Sequence, residues 1–195
     1  MTTFYICRHG QTENNKKGRL SGWIDTPLTD EGVKNAHDSA AKLENTIFDL
    51  VVSSDLGRAF VTAYIISHKQ SYGAEIIRLS GLREVNYGDL ANLPIDEAIA
   101  AYPAGLNVSN NVAPNGESLV QMQHRVLETI QSLSEQHHSK TILIVAHDGT
   151  INALYASFAG LDIGEVDTKR SNAHDFVAKF NYDNQEIVTF SEIIA

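Results

Sequence analysis

Apolar residues along the chain follow two rhythms. Short runs with polar ends occur at Thr3-Phe4-Tyr5-Ile6-Cys7, at Phe48 to Ser53, at Glu75 to Leu79 and at Thr141-Ile142-Leu143-Ile144-Val145-Ala146. Runs of this length, rich in β-branched and aromatic residues, predict buried strands. Between them the apolar positions spread to helical spacing. Val33, Ala36, Ala40 and Leu43 predict a helix capped by Thr29 or Asp30 and ending near Glu44. Ala59, Val61, Ala63, Ile65 and Ile66 predict a second behind the N-cap candidates Ser54 and Asp55. Leu119, Met122, Val126, Ile130 and Leu133 predict an amphipathic helix from Glu117 to about Gln136, and a further helix opens at Gly149 and runs through Leu154. The alternation predicts a three-layer α/β fold, a mostly parallel central sheet flanked by helices. Phe176 to Phe180 and Ile187 to Phe190, around Asn181-Tyr182-Asp183-Asn184-Gln185, predict a hairpin at the sheet edge. Residues 85–123 keep neither rhythm; they are rich in Asn, Pro, Gly and Ala, with a short helix expected after Pro94. Long irregular runs in compact domains tend to be functional, so this stretch reads as a small inserted lid in a single domain spanning 1–195.

Two of the predicted strands end in a histidine: Thr3–Cys7 runs into Arg8-His9-Gly10, and Thr141–Ala146 into His147-Asp148-Gly149. In an open α/β sheet, ligands sit at the carboxyl ends of the strands, so parallel neighbours would bring both imidazoles to one site. Gly10 can take a positive φ and let an anion approach the backbone beside Arg8 and His9. Arg58 falls on the first turn of its helix, where the amides already favour an anion.

Composition changes this picture little. The 195 residues include 43% hydrophobic and 20% charged side chains, as in ordinary globular domains. A formal net charge of −9 argues against nucleic acid or an anionic membrane as partner. A small basic pocket in such an acidic body would suit a compact anion better than a polyanion. Cys7 is the single cysteine, which excludes an intrachain disulfide; a strand residue one step from the site points to the opposite face and reads as buried and structural. With no apolar run of about 18 residues and no signal-like N-terminus, a cytoplasmic location is expected. Lys16 and Lys17 read as surface cations on a loop over the site, and Arg19 is open to either role. His124, His137 and His138 lack acidic or thiol partners at ligand spacing and read as solvated.

Arg8-His9-Gly10-Gln11-Thr12 with Asn15, Leu20-Ser21-Gly22-Trp23 and Pro27-Leu28-Thr29-Asp30-Glu31-Gly32 resemble the opening of the histidine phosphatase superfamily, the phosphoglycerate-mutase-like fold. Val52-Ser53-Ser54-Asp55-Leu56-Gly57-Arg58-Ala59, Leu82-Arg83-Glu84, Gly116-Glu117-Ser118 and the His147 segment continue the resemblance in family order along nearly the whole chain. The resemblance implies that His9 is a nucleophile, that Arg8, Arg58 and His147 cradle the phosphoryl group, and that Glu84 is the general acid. It also implies that Asn15, Ser21, Gly22 and Thr12 touch phosphate or substrate. Asp148 stands where the family more often has glycine, and Gly88-Asp89-Leu90-Ala91-Asn92 replaces the Trp-Glu-Gly ending common in phosphatase members.

Chemistry consistent with these residues needs no metal or other cofactor. The cations, with amides near Gly10 and Gly149, would surround a dianion, and neutral His9 would attack it to give a phosphohistidine. Glu84 must then be protonated at working pH, which burial or nearby negative charge would achieve. Metal-independent hydrolysis of a small phosphorylated metabolite is the leading expectation, by a monomer or homodimer. The stretch after Arg83 carries no Lys or Arg before Arg125, whereas a mutase must grip the far end of its substrate. The alternatives are a phosphoglycerate-mutase-type phosphotransferase, an idle phospho-ligand-binding module, and a metallohydrolase on His9, His147, Asp148 and Glu84.

Overall fold

A computed structural model describes residues 1–69, 75–169 and 172–193. Its elements in chain order are β1 (Thr2–Arg8), α1 (Glu13–Lys16), α2 (Asp30–Lys42), β2 (Leu50–Ser54), α3 (Gly57–Lys69) and β3 (Ile76–Leu79). They continue with α4 (Ile95–Ala101), α5 (Leu119–Gln136), β4 (Thr141–Ala146), α6 (Asp148–Ala159), α7 (Ile163–Lys169), β5 (Val177–Asp183) and β6 (Glu186–Glu192). Short 3₁₀ turns lie at Ser80–Leu82 and Gly88–Leu90.

Among the described residues the strands form one six-stranded sheet in the order β3-β2-β4-β1-β5-β6. β3, β2, β4 and β1 are mutually parallel, while β5 and β6 form the antiparallel hairpin at the β1 side. The uninterrupted apolar run of β4 suits its central place, since a parallel strand covered on both faces has no polar side to present. One face carries Phe4, Ile6, Val52, Ile142 and Ile144 against Met122, Val126 and Ile130 of α5 and Ile151 of α6. The other carries Cys7, Val51, Leu143 and Val145 against Ala40 of α2, Leu43 at its end, and Ala59, Ala63 and Ile66 of α3. The sheet is thus the middle of three layers. Cys7 lies fully buried in that second cluster, and burial pushes its thiol up to about 12, so it is structural and unreactive.

Local sequence explains the boundaries. Thr29 accepts from the Gly32 amide and caps α2, while Ser118 and Gln121 form a reciprocal capping box on α5. α5 begins at Leu119, two residues after the expected Glu117, and overlaps the end of the 85–123 stretch. Val33, expected on the buried face of α2, is 38% exposed. Gly10 does not take a positive φ. Its lack of a side chain serves close packing instead, because a Cβ there would lie 2.1 Å from the Gly32 carbonyl oxygen.

The stretch between Glu84 and α5 has a small core of its own, Leu90, Ala98 and Ala113, packed by Leu20 and Tyr87. Backbone bonds join it to the loop after α1: Leu20 N to Leu93 O at 3.0 Å, Asn92 N to Leu20 O at 2.7 Å and Ile95 N to Gly18 O at 2.9 Å. No helix among the described residues is long and apolar enough to cross a membrane.

Candidate active site

Strand register assembles the site. Arg8 sits opposite Ala146 in the parallel pairing of β1 with β4, and the His9 amide donates to the Ala146 carbonyl at 3.0 Å. His9 and His147 therefore leave the sheet side by side, with ring centroids 5.1 Å apart. Both are buried.

The tautomer of His9 follows from its two partners. Nδ1 lies 2.8 Å from the carbonyl oxygen of Gly10, which can only accept, so Nδ1 carries the proton. The Arg58 guanidinium, which can only donate, places Nε 3.3 Å from His9 Nε2. Nε2 thus keeps its lone pair, which accepts from Arg58 Nε. Burial first, then the nearby charges of Arg58 and Arg8, holds His9 well below the ordinary histidine pKa. A neutral imidazole with one committed proton is the form a nucleophile requires.

Arg58 is itself buried, and its other nitrogens donate to the carbonyls of Gly22 at 2.7 Å and Ile24 at 3.0 Å. Gly22 adopts φ +49°, which turns that carbonyl to the guanidinium at little steric cost. The Asp25 carboxylate accepts from the amides of Gly57 and Arg58 and lies 3.5 Å from the Arg58 guanidinium. The start of α3 is therefore capped by a residue from a distant loop. Its amides, expected to favour a ligand anion, are already committed. The same correction applies to the amides expected in the anion cradle. Gly10 N donates to Thr62 Oγ1 at 3.1 Å, and Gly149 N to Glu84 Oε2 at 3.2 Å.

Three buried side-chain nitrogens have no hydrogen-bond partner among the described residues: Arg8 Nε and both ring nitrogens of His147. All three belong to residues of this site; the Ser21 hydroxyl is likewise buried without a partner among the described residues. Leaving such a group unsatisfied costs about 1–3 kcal/mol, a cost that an anion accepting from them would offset. Burial, then the charge of Arg58, holds His147 well below the ordinary value, and an arriving dianion would favour its protonated form.

Glu84 follows the turn after β3. Its Oε1 accepts from Val85 N at 2.9 Å and its Oε2 from Gly149 N. These bonds favour the charged form, yet burial outweighs them and, with Asp148 nearby, raises the carboxyl pKa. The backbone of Glu84 is held from two sides. Its carbonyl accepts from Trp23 Nε1 and from Arg125, both at 2.8 Å. Arg125 also grips the carbonyls of Gly81 and Arg83 and pairs with Glu117.

Asp148 lies beside the site, its Oδ1 3.8 Å from the Arg8 guanidinium. Its Oδ1 accepts from the backbone and side-chain nitrogens of Asn172 at 2.9 and 2.8 Å. Arg8 donates to the Asn172 carbonyl. His174, two residues on, places Nδ1 3.1 Å from the His9 carbonyl oxygen and its ring 5.8 Å from that of His9.

Thr12 and Asn15 cap α1 reciprocally. The Thr12 amide and hydroxyl both donate to Asn15 Oδ1, at 3.0 and 2.8 Å, and Thr12 is fully buried. Thr12 thereby orients Asn15. Lys16 and Lys17 are exposed, Lys17 beside Glu13, and Arg19 donates to the Asn92 carbonyl at 2.6 Å. Arg83 pairs with Asp55 at 2.5 Å. The described residues contain no group of three or more His, Cys, Asp or Glu able to hold a metal ion.

The chain belongs to the histidine phosphatase superfamily (branch 1), whose sequence profile matches residues 4–193. Its relatives include both phosphatases and phosphoglycerate mutases. It is 30% identical to the uncharacterised phosphatase PhoE of Bacillus subtilis over 89% of this chain and 86% of that protein. It is 34% identical to the 2,3-bisphosphoglycerate-dependent phosphoglycerate mutase of Bartonella henselae over 93% and 94%. The solved structure of Bacillus stearothermophilus YhfR superposes with a TM-score of 0.86 at 29% identity, covering 96% of this chain and 94% of that one.

Proposed function

We propose that the chain is a phosphomonoesterase that hydrolyses a small phosphorylated metabolite through a phosphohistidine on His9 Nε2. The observation that carries this reading is the tautomer of His9: the proton is committed to the Gly10 carbonyl on Nδ1, and the unprotonated Nε2 accepts from Arg58, a bond a phosphoryl oxygen would take over as Nε2 attacks. Nε2 attacks phosphorus as the ester P–O bond breaks, and the leaving oxygen takes the proton of Glu84. Arg8, Arg58 and His147 meet the charge on the phosphoryl oxygens. Glu84, now a carboxylate, then takes a proton from water as the water oxygen attacks phosphorus. The P–N bond breaks, and inorganic phosphate leaves with His9 restored. Asn15 and Ser21 flank the same group on this reading.

Hydrolysis is preferred to transfer because the stretch from Val85 to His124 offers no cation to the far end of a substrate. Arg19, Arg83 and Arg125 are engaged with protein groups. The mutase relative keeps transfer as the second reading, to be tested with 3-phosphoglycerate and a bisphosphate primer. The primary test is phosphate release from an aryl phosphate in excess chelator, for wild type and His9→Ala, with acid-quenched and alkali-quenched samples analysed for phosphohistidine. Wild-type turnover with an acid-labile, alkali-stable phosphoenzyme, and none in the variant, is expected. Equal turnover in both proteins would remove His9 from the mechanism. Loss of turnover in chelator would favour a metallohydrolase, and phosphate binding without release an idle binding module.

A further inference from the structure

The mechanism above leaves one titratable group unused beside the nucleophile. His174 is half-buried in the loop before β5, with its ring about as far from His9 as that of His147. Its Nδ1 faces the His9 carbonyl oxygen, which can only accept, so Nδ1 carries a proton. Nε2 has no partner among the described residues. The loop is held to the site from two elements, by Arg8 of β1 on the Asn172 carbonyl and by Asp148 of α6 on the Asn172 amides. The imidazole is therefore placed before any ligand arrives.

We propose that His174 is a third imidazole of the phosphoryl site, its Nε2 taking up a proton and donating it in a hydrogen bond to an oxygen of the bound phosphoryl group. The inference rests on the phosphatase reading of that site. The groups that face His174 are Arg8 of β1 and His9 just after it, Asp148 from α6, and Asp175 from its own loop, itself bound by Lys42 of α2. Without ligand, burial and Arg8 keep His174 mainly neutral, which avoids adding a further cation beside an imidazole that must stay unprotonated. A dianion reverses the balance, because it lies close to the ring and Asp148 and Asp175 act in the same direction. Charge thus arrives with the substrate.

The test separates this contact from a role in holding the His9 backbone. His174→Asn keeps an N–H able to donate to the His9 carbonyl but removes Nε2, whereas His174→Ala removes both. Both variants are expected to fold with wild-type circular dichroism and to lose about tenfold or more in kcat/KM, the loss that follows a charge-assisted hydrogen bond. Restoration of wild-type kcat/KM and pH profile by Asn would overturn the proposal. A readout independent of turnover is the imidazole ¹⁵N spectrum of His174 during titration with inorganic phosphate near neutral pH. Movement of Nε2 to its protonated shift is expected, and an unmoved resonance at saturating phosphate would also overturn it. If wild type forms no phosphohistidine, the phosphatase reading fails, and this titration still decides whether His174 meets an anion.

Discussion

A group that gives up a proton in one step and recovers it in the next works best with a pKa near the operating pH. Glu84 moves that way because burial outweighs the two amides that would hold it ionised. Activity should therefore fall as pH rises through its raised pKa, and the acidic limb should lie low because His9 is held neutral. Glu84→Gln is expected to lower kcat/KM by about 10²–10⁴-fold on alkyl phosphates, the usual range for general acid catalysis. The loss should be smaller on an aryl phosphate, whose leaving group needs no proton; equal losses on the two esters would argue against an acid role. Asp148 raises the pKa of Glu84, so Asp148→Asn should shift the alkaline limb of the pH–rate profile to lower pH. The asparagine oxygen can still accept from Asn172, which makes the shift a test of charge rather than of folding. A limb that stays in place would show that burial alone sets the acid.

Between elements, the largest surprise is the cap on α3. Ser54 and Asp55 were the local candidates, yet Ser54 turns to the Leu56 amide and Asp55 to Arg83, leaving the cap to Asp25. No local pattern marks Asp25, since its partners lie more than thirty residues on. Asp25→Ala would orphan two amides and remove a carboxylate from buried Arg58. It is expected to cost about 1–2 kcal/mol of stability and to lower kcat/KM, with urea melts and aryl phosphate kinetics as the measurements. A stable variant with full activity would leave the Asp25 contact without consequence. His174 escaped notice for a different reason. Parallel strands bring their carboxyl ends to the site, whereas β5, running antiparallel to β1, brings its amino end to that same edge. The strand ends bearing His9 and His147 were legible because their apolar runs stop abruptly at polar residues. The fates of the Gly10 and Gly149 amides were not, because only tertiary packing brings Thr62 and Glu84 to them.

At the scale of the molecule, layers and strand assignments follow from hydrophobic rhythm, since a parallel sheet covered on both faces leaves few other placements for runs like β4. The order of the strands lay beyond that rhythm, because apolar runs carry no label for their neighbours. Buried donors grouped around one point should make the fold respond to an anion as a whole. Inorganic phosphate at about 100 times its Kd should add about 2.7 kcal/mol to the native state. For a chain of this size that corresponds to a rise of about 5–10 °C in Tm. His147→Ala, which removes two unpartnered nitrogens, should respond less; a Tm insensitive to phosphate in wild type would show that no such anion site is formed.

β1 lies between β4 and β5, with Arg8 reaching the Asn172 carbonyl beyond both helices that follow β4. β1 therefore waits for a strand far along the chain. Until then an apolar edge stands open and His9 lacks the ring of His174 beside it. A nascent chain is thus in need of protection along that edge, and the site is complete only when Asn172 and His174 reach Arg8 and His9.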